Sequence, residues 1–173
     1  GDEKLAKICE EIYAKHKKAL DLIFEYKPDR AMDIAHIFHK WLRGMTDKGE
    51  LIADLETSNK TIIRFKTETM SEILPDAENV LSGWNTKNFY FYEIINRSGY
   101  DYRIQFVVSS KNIPDDLRKI CGRINEIFPA KMQKENWQWR NHFHTTKRKI
   151  DEIIDEEELM KNLDADWLKI KEF

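Results

Sequence analysis

Arg64, Lys66, Arg97, Arg103, Gln105, Arg140, His142 and His144 fall in stretches that alternate polar with apolar residues. Such alternation places successive side chains on opposite sides of a β-strand. Collected from all the strands, these residues put basic and amide groups on one side of a sheet. Phe89 and Phe91 share that side if the hairpin from Tyr90 to Val108 pairs Tyr90, Tyr92 and Ile94 with Val108, Phe106 and Ile104. The alternative register would set Glu93 among apolar side chains, and an unpaired buried carboxylate is costly. Guanidinium groups interleaved with aromatic rings suit single-stranded RNA or DNA, the charges holding phosphates and the rings stacking on bases. Two readings compete with that one. The N-terminal helices, laid over this face, would pair with the same arginines through their carboxylates. A partner protein would use the face without any affinity for nucleic acid.

Other chemistry has less support. His142 and His144 are two apart on one strand, but no Asp or Glu of that strand supplies a third metal ligand. His36 and His39 lie one helical turn apart beside Lys40 and Arg43, which repel a cation. No GxSxG, glycine-rich phosphate loop or HExxH occurs, and no cofactor is implied. An enzyme would need a pocket, and Glu93, Arg103, His142 and His144 are the residues that would furnish it. Trp137 and Trp139 alternate with polar residues and read as a core face together with Phe143. Trp84 sits in a loop, where a binding role is harder to dismiss.

The elements that position these groups follow from pattern and punctuation. Residues 3–26 and 29–45 read as two amphipathic helices broken at Pro28, an N-terminal helical hairpin over 1–46. Thr61–Lys66 is a strand, Leu51–Leu55 is strand or loop, and 68–74 is one helical turn. The loop 76–87 leads into the hairpin around Ser98-Gly99. Pro114 opens a helix with Asp115 and Asp116 in its first turn, and Trp137–Lys147 is a further strand. Residues 50–150 thus hold sheet plus helix, and 151–173 form an acidic C-terminal helix. The sum is one α+β domain with about four mainly antiparallel strands and helices packed on them.

Charge is distributed unevenly along the 173 residues. Residues 1–83 carry a net −3, residues 84–150 a net +7 and residues 151–173 a net −6. A basic middle between acidic ends fits a nucleic-acid surface, or two parts of one molecule that attract each other. No run of apolar residues is long enough for a membrane span. Cys9 and Cys121 lie beside helical apolar stripes and read as buried free thiols of a cytoplasmic protein. The chain starts at Gly1, which reads as a piece of something longer.

Three segments, SGWNTKNFYFYEIINR, SSKNIPDDLRKICGRINEIFP and KENWQWRNHF, together resemble the C-terminal region of bacterial proteins classed with the PD-(D/E)XK nuclease superfamily. The resemblance spans about residues 60–147 and is weaker in ALDLIFEYKPDRAMDIAHIF. It implies a nuclease-like domain N-terminal to this region in the same protein. That nuclease chemistry needs a metal-binding Asp and then Glu-x-Lys on a strand. Here Glu93 is followed by Ile95 where Lys would stand, so no catalytic residue carries over. The resemblance implies a non-catalytic accessory domain.

Overall fold

Pro28 separates two long helices, α1 (Asp2–Glu25) and α2 (Arg30–Asp47), in a computed structural model that describes residues 1–129 and 138–171. Asp29 starts α2 as its N-cap, its Oδ1 accepting from the Met32 amide at 3.1 Å. Four strands follow the helix pair with one short helix among them: β1 (Ile52–Asp54), β2 (Ile62–Lys66), α3 (Glu68–Ile73), β3 (Tyr90–Ile95) and β4 (Asp101–Ser109). Then come α4 (Asp115–Ile127), β5 (Trp139–His144), β6 (Arg148–Lys149) and α5 (Glu156–Lys171). Strands β1 to β5 lie side by side in chain order, all antiparallel, and β6 pairs with the start of β4. The α+β architecture is the one expected, with β1 and β6 added to the strand count. Among the described residues no helix is long and apolar enough to cross a membrane.

The hairpin has the expected register: Tyr90, Tyr92 and Ile94 oppose Val108, Phe106 and Ile104. These side chains, with Ile63 and Phe65 of β2, make the apolar face of the sheet. The stripe read in α2 closes on that face through Ile34, Phe38, Trp41 and Leu42. From α5 come Leu159, Leu163, Trp167 and Ile170, and from α4 Leu117 and Cys121. Phe65 sits at the centre, stacked on Tyr92 with ring centroids 5.4 Å apart and met edge-on by Trp41 and Trp167. Thus α2, α4 and α5 all bury their apolar sides against one face of the sheet. The N-terminal helices do not lie over the polar face: α2 is on the opposite side, and α1 buries none of its residues. Cys9, on α1, is exposed rather than buried, whereas Cys121 is buried as expected. Burial pushes the Cys121 thiol up to about 11, partly offset by Arg140 and Arg118 nearby.

Arg30 clasps the ends of several elements together. Its guanidinium donates to the carbonyls of Gly99 at 2.8 Å and Glu152 at 2.9 Å, and also to that of Asp151, while it lies over the Tyr100 ring. The hairpin can approach so closely because residue 99 is glycine. Its φ is +82°, and a Cβ there would stand 2.9 Å from the Arg30 carbonyl carbon and oxygen. Gly99→Ala should therefore cost about 1–3 kcal/mol in backbone strain alone. For a chain of this size that lowers the melting temperature by roughly 2–4 °C per kcal/mol. A thermal melt indistinguishable from that of the parent would contradict the assignment.

Candidate functional site

Across the open face runs a row of polar side chains, one from each neighbouring strand. Arg64 of β2 opposes Glu93 of β3, Glu93 opposes Gln105 of β4, and Gln105 opposes His144 of β5. Glu93 is only 5% exposed, so the avoided outcome of the register argument, a buried carboxylate, occurs after all. It is paired, which removes most of the penalty. Arg64 Nε donates to Glu93 Oε2 at 2.7 Å, and Arg64 Nη1 donates to the Thr57 carbonyl. Gln105 Nε2 donates to Glu93 Oε1 at 2.9 Å, and Asn141 Nδ2 donates to Gln105 Oε1 at 2.8 Å.

That chain has a direction, set at one end. A carboxylate facing a guanidinium only accepts hydrogen bonds. Gln105 must then turn its NH2 to Glu93 and its oxygen to Asn141. Asn141 must in turn give its NH2 to Gln105. The acceptor Oδ1 of Asn141 is what remains, buried and without a partner among the described residues.

The row forms the floor of a cleft of about 560 Å³. At one end are Arg97, Arg103, Ile62 and Ile95; at the other are Trp84, Trp139 and Val107. Trp84 lies edge-on to Phe91, 4.8 Å between centroids, and 4.6 Å from Trp139. The Arg64 guanidinium carbon is 5.9 Å from the Trp84 ring. A tight loop delivers Trp84: Ser82 N donates to the Thr86 carbonyl at 2.8 Å, and Asn85 takes a left-handed φ of 59°. The buried Ser109 hydroxyl anchors the loop to β4 by accepting from Gly83 N at 2.9 Å. Glycine is required here by contact, since a Cβ at 83 would lie 2.6 Å from Trp139 Cη2.

The expected site residues divide between the two sides of the sheet. Arg64, Arg97, Arg103, Gln105 and His144 line the cleft together with Glu93. Lys66 does not; its Nζ donates to Asn88 Oδ1 at 3.0 Å. Phe89 and Phe91 are fully buried, Phe89 in the core cluster and Phe91 beneath Trp84, so neither offers a ring face to stack on. Arg140 and His142 are on the side of the helices. Arg140 opposes Val108 near Cys121, and the His142 ring lies 3.1 Å by Nδ1 from the Phe128 carbonyl and 6.3 Å by centroid from Phe106. Burial pulls the His142 pKa down.

A β-bulge explains both departures. Phe106 opposes Phe143 and Val107 opposes Asn141, so His142 is an extra residue in β5. Before the bulge the phase is reversed relative to simple alternation. Trp139, read as a core residue, therefore comes to the cleft at 38% exposure, and Arg140 leaves it. Trp137, expected beside it, lies outside the described residues. Trp139 and Asn141 were thus missed by strand phase alone, while the loop position of Trp84 was the one available signal for the aromatic wall.

The cleft as a whole can grip an anion and a flat ring at once. Arg97 and Arg103 make no hydrogen bond or ion pair among the described residues, and Arg103 Nε is buried without a partner. No group of three metal-ligating side chains occurs among the described residues. Comparison with family models, with curated proteins and with solved structures returns no match to this chain.

Proposed function

We propose that this domain binds single-stranded nucleic acid through the cleft on its open sheet face. The observation that carries the proposal is the meeting of Arg97 and Arg103, both without a counter-charge among the described residues, with the paired tryptophans Trp84 and Trp139 on a face that no described helix covers. Phosphate is the natural partner of the guanidinium groups, and a base is the natural partner of the indoles. The role is an accessory one, without catalysis of its own, in support of an N-terminal nuclease-like domain in the same bacterial protein, as the resemblance of the 60–147 region implies; the two free cysteines fit a cytoplasmic setting.

Fluorescence anisotropy with labelled single strands tests this. Two phosphate contacts, at about 0.7 in log–log slope each, should weaken binding about sevenfold between 50 and 200 mM salt. Arg97→Glu combined with Arg103→Glu should abolish both the binding and its salt dependence, with circular dichroism confirming an intact fold. Parental binding by that double variant would remove the proposal.

Domain–domain interaction has an observation of its own. Leu5, Ile8, Ile12, Leu22, Ile23 and Phe24 are all exposed on α1. The same titration separates the two readings, because no affinity for any strand leaves the interaction reading standing alone.

A further inference from the structure

We infer that the cleft holds one terminal nucleotide of a strand, with its terminal phosphate, rather than a run of nucleotides. The inference rests on the nucleic-acid reading above and narrows it.

Three features of the site limit it to a single unit. First, the volume of about 560 Å³ is that of a small-molecule pocket. A groove that tracks a strand is longer and open at both ends. Second, the unpaired positive charge is gathered at one end. Arg64 is committed to Glu93, and Lys66 lies outside the cleft on Asn88, so among the described residues Arg97 and Arg103 are what remain for phosphate. Two guanidinium groups at one end of the cleft match a terminal phosphate, which carries up to two negative charges, better than the single charge of an internal diester.

Third, the aromatic end and the charged end stand on opposite sides of one short floor, so that a ring and its phosphate can be held at once. Trp84 rests on Phe91, which opposes Val107, four residues from Arg103 along β4. At about 3.4 Å per residue these rows stand roughly 14 Å apart at the backbone. Arg and Trp side chains are long enough to reach into that gap from either end. Between them lies the polar floor. A ring laid against Trp139 has its edge beside Asn141, two residues along the same strand and on the same side of the sheet. The direction of the amide chain leaves Asn141 an acceptor; its Oδ1 is buried, so a base N–H reaches it once the Asn141 side chain turns toward the cleft.

Tryptophan fluorescence of the full chain gives the readout. Free nucleoside monophosphates should quench it and should displace a labelled single strand. Strands bearing a 5′-phosphate, a 3′-phosphate or neither distinguish which end is read. The preferred phosphorylated end should bind roughly tenfold tighter than the hydroxyl end, the effect of about one added charge-assisted hydrogen bond. Arg103→Gln should erase that preference, and Trp139→Ala should weaken the monophosphate and the strand alike, with circular dichroism confirming both folds. Strands that bind equally well with and without terminal phosphate, and that no monophosphate displaces, overturn the single-nucleotide site while leaving strand binding intact. Failure of every strand and every monophosphate to bind overturns both.

Discussion

Asp166→Ala is expected to cost the fold about 3–5 kcal/mol, the usual effect of removing one partner from a buried ion pair. The carboxylate is 2% exposed and carries three hydrogen bonds. Arg148 reaches it from β6 through Nε at 3.0 Å and Nη2 at 2.7 Å, and the Tyr102 hydroxyl donates to it at 2.9 Å. Alanine would strand the Tyr102 hydroxyl, whose residue is 1% exposed and whose pKa is already held well above the usual phenol range by burial and by the carboxylate itself. The Arg148 side chain is one-third exposed and can turn to water, so the cost should fall toward the lower end of the range. Asp166→Asn keeps an acceptor for Tyr102 and loses the charge, and should cost less than alanine. Urea denaturation measures both. A loss under about 1 kcal/mol for alanine would show that the cluster tolerates an orphaned hydroxyl, against the general cost of leaving one.

This pair also answers the charge pattern of the sequence. The strongly acidic C-terminal segment and the basic middle do attract each other, through Asp166 and Arg148. The acidic tail is not spread over the cleft. Its α5 packs on the apolar face with α2, held there by Lys40 to Glu156 at 2.7 Å and by Trp41 Nε1 to Asp164 at 2.8 Å. Part of the basic excess is therefore spent within the molecule, and among the described residues Arg97 and Arg103 belong to the part that is not.

Much of the scaffold was legible because it depends on repetition. The stripe in α2, the register of β3 with β4 and the breaks at Pro28 and Pro114 are periodic or punctuated features, and they appear where the pattern put them. The site was legible only where period two holds. It holds through β2, β3 and most of β4, which is why Arg64, Arg103 and Gln105 share one face. It fails in β5, where His142 is inserted opposite no partner residue. One extra residue exchanges the two faces of everything before it. That single event moved Arg140 to the core side and Trp139 to the cleft. Nothing in WQWRNHFH distinguishes a bulged strand from a regular one, since the bulge is decided by what β4 offers across the ladder. The buried Phe91 was misread for a different reason: the phase was right, but a loop tryptophan lies on top of it.

Glu93 is where the fold and the site meet, and two substitutions there should part company. Glu93→Ala leaves the Arg64 guanidinium, whose side chain is 14% exposed, without its counter-charge and frees Gln105 from its anchor. A cost of about 3–5 kcal/mol is expected, read by urea denaturation. Glu93→Gln keeps the shape. Its amide oxygen can still accept from Arg64, so its NH2 must face Gln105. Gln105 then turns its oxygen to the new donor and its NH2 to Asn141, and Asn141 turns its own NH2 outward. One substitution at β3 thus reverses the whole amide chain and converts the last atom of the floor from acceptor to donor. The fold should lose about 2–3 kcal/mol, less than with alanine because Arg64 and Gln105 keep hydrogen-bond partners although Arg64 loses its counter-charge. The cleft meanwhile gains a unit of positive charge. Inorganic phosphate and the phosphate of a nucleotide should bind more tightly to Glu93→Gln, with a steeper salt dependence, whereas the advantage conferred by the base should shrink. Equal loss of phosphate and base affinity in Glu93→Gln would mean that Glu93 does more than orient its neighbours, and that the floor is not the passive chain of amides its hydrogen bonds describe.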